Sequence, residues 1–236
     1  PGPYWQMNPP AKEKTAMIKK SLLSLGLAMT SAFAVAQQSA QYEVTITNVS
    51  PGQTLTPQLL VSHPADIRLF RLGQPASEEL EILAEGGDTQ PLTDAVDGVA
   101  TDAVTIDGLL GPGESVSMTI EGIPGSDRLS MAAMLIPTND TFVALNGVPL
   151  PESGGVGRTL SAYDAGTEEN DQSCANIPGP RCGGEGYNEE GGDGFVHVGN
   201  GFHSLGDTDD DGAEVLGPAV YDWGNFVARV TVRRLN

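Results

Sequence analysis

Residues 163–171, YDAGTEEND, place Asp164, Glu168, Glu169 and Asp171 close together and include no Lys, Arg or His. Four like charges on a short segment repel one another, and something must offset them. A calcium ion is one answer, since it takes about 6–8 oxygen ligands, mostly carboxylates and carbonyls. Gly166 lies between Asp164 and Glu168 and lets the backbone turn back, so that both carboxylates can face one point. Glu169 and Asp171 stand as additional or indirect ligands. The other answer is water. A solvated acidic turn uses the same residues without an ion, and composition alone leaves both readings open.

Three further groups carry chemistry. Asp207, Asp209, Asp211 and Gly212, in DTDDDG, match the start of an EF-hand loop. The twelfth position, which should be a bidentate Glu, is Pro218, and nothing nearby suggests flanking helices. A solvated loop is expected there rather than a second calcium site. His197 and His203 lie near Asp193 and Asp207 in sequence. A zinc site, a His–Asp catalytic pair and structural hydrogen bonding all accommodate them, the last being the expectation. No Gly-x-Ser-x-Gly or HExxH element accompanies them. Cys174 and Cys182 enclose a short loop rich in Pro and Gly, and in an exported chain such a pair is expected to be a disulfide.

The elements that must position these groups are short and β-rich. Residues 41–50 alternate Tyr42, Val44, Ile46 and Val49 with polar neighbours, and 114–123 alternate Val116, Met118 and Ile120. Residues 54–63, 141–148, 194–201 and 225–235 read as further strands. In the last, Phe226, Ala228, Val230 and Val232 share one face, and Arg229, Arg233 and Arg234 are expected to pair with carboxylates. The nearly continuous apolar run 128–138 reads as a central buried strand. Seven or eight strands at this spacing predict an all-β antiparallel sandwich. Residues 75–87 differ: Ser77 is a helix N-cap, acids fill the first turn and two glycines stop it. A short helix with Leu80, Ile82 and Leu83 on its apolar face is expected to lie on the sandwich. The long polar stretch 165–193 is expected to be an ordered loop tied down by the cysteines.

Residues 17–36 have Lys19 and Lys20, then an apolar stretch, then Ala34-Val35-Ala36, the pattern of a secretory signal peptide. Residues 1–16 are expected to be an upstream artefact outside the fold, and 37–236 a single domain. Without residues 1–36 the chain keeps eight basic residues, all arginine, against thirty acids, so its net charge moves from −19 to −22. Nucleic acid is a poor partner for such a surface, since phosphate binding needs clustered positive charge. No apolar run in 37–236 is long enough to span a bilayer. Export to a periplasm or to the extracellular space follows.

Four stretches in order, IPTNDTFVALNGV (136–148), YDAGTEEND (163–171), GFVHVGNGFHSLGD (194–207) and YDWGNFVARVTVRR (221–234), resemble the bacterial branch of the spondin N-terminal domain, related to F-spondin and mindin. The resemblance runs from about Gln41 to Asn236. It implies a β-sandwich similar to calcium-dependent phospholipid-binding domains, with one calcium ion held by loops at one end. Carried over position by position, the family's metal-binding acids fall on Asp140, Asp164 and Glu168, where animal members usually have Asp at the last. The reading is a secreted, calcium-binding, non-enzymatic module for adhesion, matrix or envelope contacts. Its partner would be a surface or matrix ligand, either glycan or protein. Two rivals stand beside it: a secreted hydrolase using paired carboxylates such as Asp140 and Asp164, and a passive structural envelope protein.

Overall fold

The computed structural model describes residues 38–187, 191–204 and 206–236. The expected leader at 17–36 and the stretch before it lie outside the described residues. Residues 37–236 cluster as one compact unit.

Alternation decides the first sheet. In β1 (Ala40–Asn48), Tyr42, Val44 and Ile46 are fully buried, while the residues between them face outward. Its neighbours are β5 (Ser115–Gly122) and β11 (Ala228–Arg234), both antiparallel to it, and β8 (Gly155–Leu160) pairs with β11 on the far side. Ala228, Val230 and Val232 of β11 and Ile120 of β5 complete the inward face.

The second sheet runs β10 (His197–Val198), β9 (Ala162–Asp164), β7 (Thr141–Pro149), β6 (Arg128–Ile136), β3 (Gln58–His63) and β4 (Asp102–Ile106), with β2 (Thr54–Leu55) beside β6. It is covered on both faces, which explains the unbroken apolar run of β6. Leu60, Met131, Ala133, Leu135 and Val143 meet the first sheet. Leu59, Val61, Ala132, Phe142 and Ala144 meet α1 (Glu78–Gly86) and α2 (Gln90–Val96). Phe142 packs edge-on to Phe70 with ring centroids 5.2 Å apart. The result is the expected antiparallel sandwich with a helical layer added to one face.

Helix α1 begins as read. The Ser77 hydroxyl accepts from Leu80 N–H at 3.3 Å, and Gly87 closes the helix at φ 72°. Its inward face is Leu80, Leu83 and Ala84, with Ile82 only half-buried.

Three expectations change. Phe226 is 49% exposed rather than buried, because the last strand starts at Ala228. The expected strand over 194–201 shrinks to His197–Val198, since glycines at 199 and 201 end it. Of the arginines on β11, Arg233 pairs with Glu43 at 3.0 Å, but Arg234 donates to main-chain oxygens of Glu152 and Asn236 instead of to an acidic side chain.

Register places the loops. Asn48 pairs with Ala228, Ala228 with Leu160, and Thr141 with Asp164. The turn 137–140, entered through a cis Ile136–Pro137 bond, and the long excursion 165–227 therefore share one pole of the sandwich. There Cys174 and Cys182 form a disulfide with Cα atoms 4.7 Å apart. It closes a loop with a sequence separation of 8, worth about 2.5 kcal/mol of chain entropy. Replacing both cysteines with serine is expected to lower stability by up to that amount, read as a lower denaturant midpoint at unchanged slope.

Candidate metal centre

The centre is built by strand pairing. Thr141 at the start of β7 sits opposite Asp164 at the end of β9, so Asp140 falls beside the chain that follows Asp164. Ala165 N–H donates to the Asp140 carbonyl at 3.2 Å. His197 of β10 is paired with Asp164 from the other side. Asp140, Asp164 and Glu168 are 0%, 1% and 4% exposed, an unusual burial for three acids within one loop cluster.

Each acid is held in its own way. Asp140 Oδ2 accepts from the backbone N–H groups of Thr167 at 2.8 Å and Glu168 at 3.2 Å. Its other oxygen, Oδ1, is buried with no hydrogen-bond donor among the described residues. Asp164 Oδ1 accepts from Gly166 N–H at 2.8 Å and lies 3.3 Å from His197 Nε2, while Oδ2 accepts from the Asn170 amide at 2.7 Å. Burial, then the nearby Asp164 charge, push the Asp140 carboxyl up to about 7, against the lowering effect of the two amides. The charge of Glu85, a fully buried acid on α1, acts in the same direction.

Among the described residues His197 is the titratable base that meets these acids. Burial disfavours its charged form, but the Val198 carbonyl and the Asp164 and Asp193 carboxylates outweigh that and raise its pKa. Its Nε2 stands 3.1 Å from Asp193 Oδ2. Sequence reading set this histidine near Asp193 but did not link it to Asp164, because that contact is made across the β9–β10 pairing. His203 lies elsewhere, its backbone N–H donating to the Gln172 side chain at 2.7 Å. No contact joins the two histidines among the described residues.

The remaining acids divide. Glu169 is exposed and lines an open cleft of about 620 Å³ together with Glu168 and Asp193. Asp171 holds the loop instead, accepting from the Asn139 and Asn176 amides at 3.0 and 2.7 Å. In the second acidic run, Asp209 accepts from the N–H groups of Asp211 and Ala213 at 3.0 and 2.9 Å, closing its own exposed turn. Asp207 turns away to accept from Cys174 N–H at 2.8 Å.

Two stretches of backbone press together over the buried acids. Gly166 has φ 71°, and a Cβ there would lie 2.4 Å from the Phe195 carbonyl oxygen. Gly192 would meet the Gly166 carbonyl oxygen at 2.2 Å. Only glycine permits this approach.

The Spondin_N family model matches residues 40–175, more than half of the chain. The chain belongs to the spondin N-terminal domain family. The matched span contains Asp140, Asp164 and Glu168 and stops short of Asn236, where the resemblance read from sequence ended. His197 and Asp193 therefore lie beyond it. No curated protein matches the chain. Spondin N-terminal domains form a non-enzymatic family, and the spondin assignment fits an extracellular module of the adhesion or matrix type. No helix among the described residues is long and apolar enough to cross a membrane.

Whether this spondin domain suits a metal is a question of donors. Hard carboxylate oxygens, one of them buried without a donor among the described residues on a carboxyl whose pKa is raised by burial and then by a like charge, are what a hard cation would relieve. Their oxygens are not gathered onto one point. Among the described residues no three His, Cys, Asp or Glu side chains stand together as a metal-holding group. Asp140 Oδ2 faces amides, and both Asp164 oxygens accept hydrogen bonds from their own loop. The chemistry of the set fits calcium, and the hydrogen bonds now made to Asp164 are the ones an ion would compete with.

Proposed function

We propose that this spondin domain is an exported, non-enzymatic interaction module whose end loops are fixed by one calcium ion held by Asp140, Asp164 and Glu168. The observation that carries this reading is the Asp140 Oδ1 atom, buried with no donor among the described residues and beside a second buried carboxylate. An isolated buried charge costs several kcal/mol, and a fold tolerates it where a counter-ion repays that cost. The ion would supply charge neutralisation and nothing redox. The protein supplies the strand pairing that brings Asp140 and Asp164 together and the glycines that let the loop close over them. The leader at 17–36 supports export, and the match to an extracellular family agrees with it.

The test is calorimetric titration of calcium into the full chain after chelation, with metal analysis of the starting material. About one ion per chain is expected for the wild type, with binding lost or weakened at least a hundredfold in Asp164→Asn. A metal-free protein that takes up no calcium would sink the proposal. So would an Asp164→Asn variant that binds as tightly as the wild type.

A further inference from the structure

Beside the acidic centre lies a second cavity of a different character. It encloses about 220 Å³ and is lined by the amides of Asn139, Asn170, Gln172 and Asn200, by His203, and by the rings of Phe202 and Trp223. Among the described residues no carboxylate and no arginine lines it, although the chain carries 31 acids. We propose that this cavity binds one neutral pyranose ring of a saccharide. The inference rests on the interaction-module reading above and names the chemical class of its ligand.

The chemistry of the walls selects the class. An amide offers a donor and an acceptor side by side, which matches vicinal hydroxyls and leaves no charge unpaired. An anionic ligand would face the neighbouring acids with no arginine or lysine among the described lining residues to meet it. An apolar ligand would strip water from several amides and replace none of their hydrogen bonds. A neutral polyol with one apolar face satisfies both walls. The volume equals about seven waters in the liquid, which is the scale of a single sugar ring. It is well below the several hundred Å³ of a drug-sized pocket.

The walls are also fixed in advance. The Asn139 amide donates to Asp171 at 3.0 Å, and its oxygen accepts from Gln172 N–H at 3.2 Å. The Gln172 oxygen accepts from His203 N–H at 2.7 Å. Phe202 and Trp223 stand edge to face at 6.1 Å and 81°. Trp223 is only 8% exposed, so its ring is part of the scaffold. Asn170 is tied to Asp164 at 2.7 Å, while the exposed side chains of Asn200 and His203 can turn toward a ligand. A site that needs little ordering loses little affinity to entropy.

The chain has two tryptophans, Trp5 and Trp223, and Trp223 is the one that lines this pocket, so emission is read in a Trp5→Phe background. The full chain is titrated with methyl glucoside, methyl galactoside, methyl mannoside and N-acetylglucosamine, reading tryptophan emission, with cyclohexanol as an equal-sized ring lacking the polyol. Concentrations run to about 100 mM, two decades above a 1 mM dissociation constant. A saturable change with at least one glycoside, absent with cyclohexanol, is expected. Asn200→Ala, an exposed position, is expected to weaken it about tenfold with unchanged circular dichroism. No saturable change with any glycoside, an equal response to cyclohexanol, or full binding by Asn200→Ala would overturn the proposal. Retention on an insoluble neutral polysaccharide, against retention on an immobilised glycoprotein, separates a polymer source from a protein-borne one, and competition by the free glycoside is expected in either case. Repeating the titration in chelator separates the two readings. A glycoside response in a protein that binds no calcium removes the metal centre alone, and calcium uptake without any glycoside response removes the saccharide site alone.

Discussion

In chelator at pH 8 the protein is expected to melt about 5–10 °C below its value in calcium at a hundred times the dissociation constant. Linkage sets the size: an ion bound only by the folded state stabilises it by about 2.7 kcal/mol at that excess. For a domain of this length each kcal/mol moves the midpoint by about 2–4 °C. The pH dependence follows from Asp140, whose carboxyl rises from 3.8 to about 7 in the metal-free fold. Below about pH 4 the group is protonated both folded and unfolded and makes no difference. As pH rises from about 4 to 7, the unfolded chain gives up the proton while the fold retains it, so stability falls. Above that both forms are ionised and the full penalty, a few kcal/mol, persists. The chelated protein should therefore be more stable at pH 5 than at pH 8, and calcium should flatten or reverse the trend. Asp140→Asn should melt above the wild type in chelator at pH 8 and show no calcium shift. Identical wild-type melts with and without calcium, at both pH values, would contradict this account.

Gly166→Ala is expected to cost about 2–5 kcal/mol and to remove calcium binding. The backbone at φ 71° costs a residue with a Cβ about 1–2 kcal/mol. The new carbon would also sit 2.4 Å from the Phe195 carbonyl oxygen, and backbone cannot rotate out of the way as a side chain can. Overpacking of this kind adds about 1–3 kcal/mol. Gly154→Ala is the matched control, because Gly154 has φ 67° and open space around its Cβ position. It should lose only the conformational part and keep calcium affinity. Equal losses in the two variants, with calcium uptake intact, would mean that the contact between residues 166 and 195 plays no part in the centre.

What could be read from sequence followed the range of the physical signal. Strands β1, β5, β6 and β7 were legible because their alternation or their continuous apolarity reports burial directly. Strand β8 escaped because Gly155, Gly157 and Arg158 face solvent at a sheet edge, where no alternation is required. Strand β4 is only half-buried and β9 is three residues long, too short for a period. Helix α2 has seven residues with Pro91 in its first turn, and only Leu92 and Val96 face inward. At the centre, Asp164 and Glu168 announced themselves by composition, and Asp140 came through family likeness. Glu85 sits next to Leu83 and Ala84 on α1 and carried no separate signal. The partnership of His197 with Asp164 joins residues 33 positions apart and exists only once β9 and β10 pair.

The antiparallel pairing of β1 with β11 has a mechanical consequence. Tyr42 lies opposite Arg234, and Leu235 N–H donates to the Gln41 carbonyl at 2.8 Å, so residue 40 and residue 236 leave the fold at the same pole, away from the loop cluster. Tension applied between them would load the ladder from one end and open it rung by rung, like a zip. A tether at either residue would hold the domain with its loops pointing outward, but stretched between two anchors it would yield at low force.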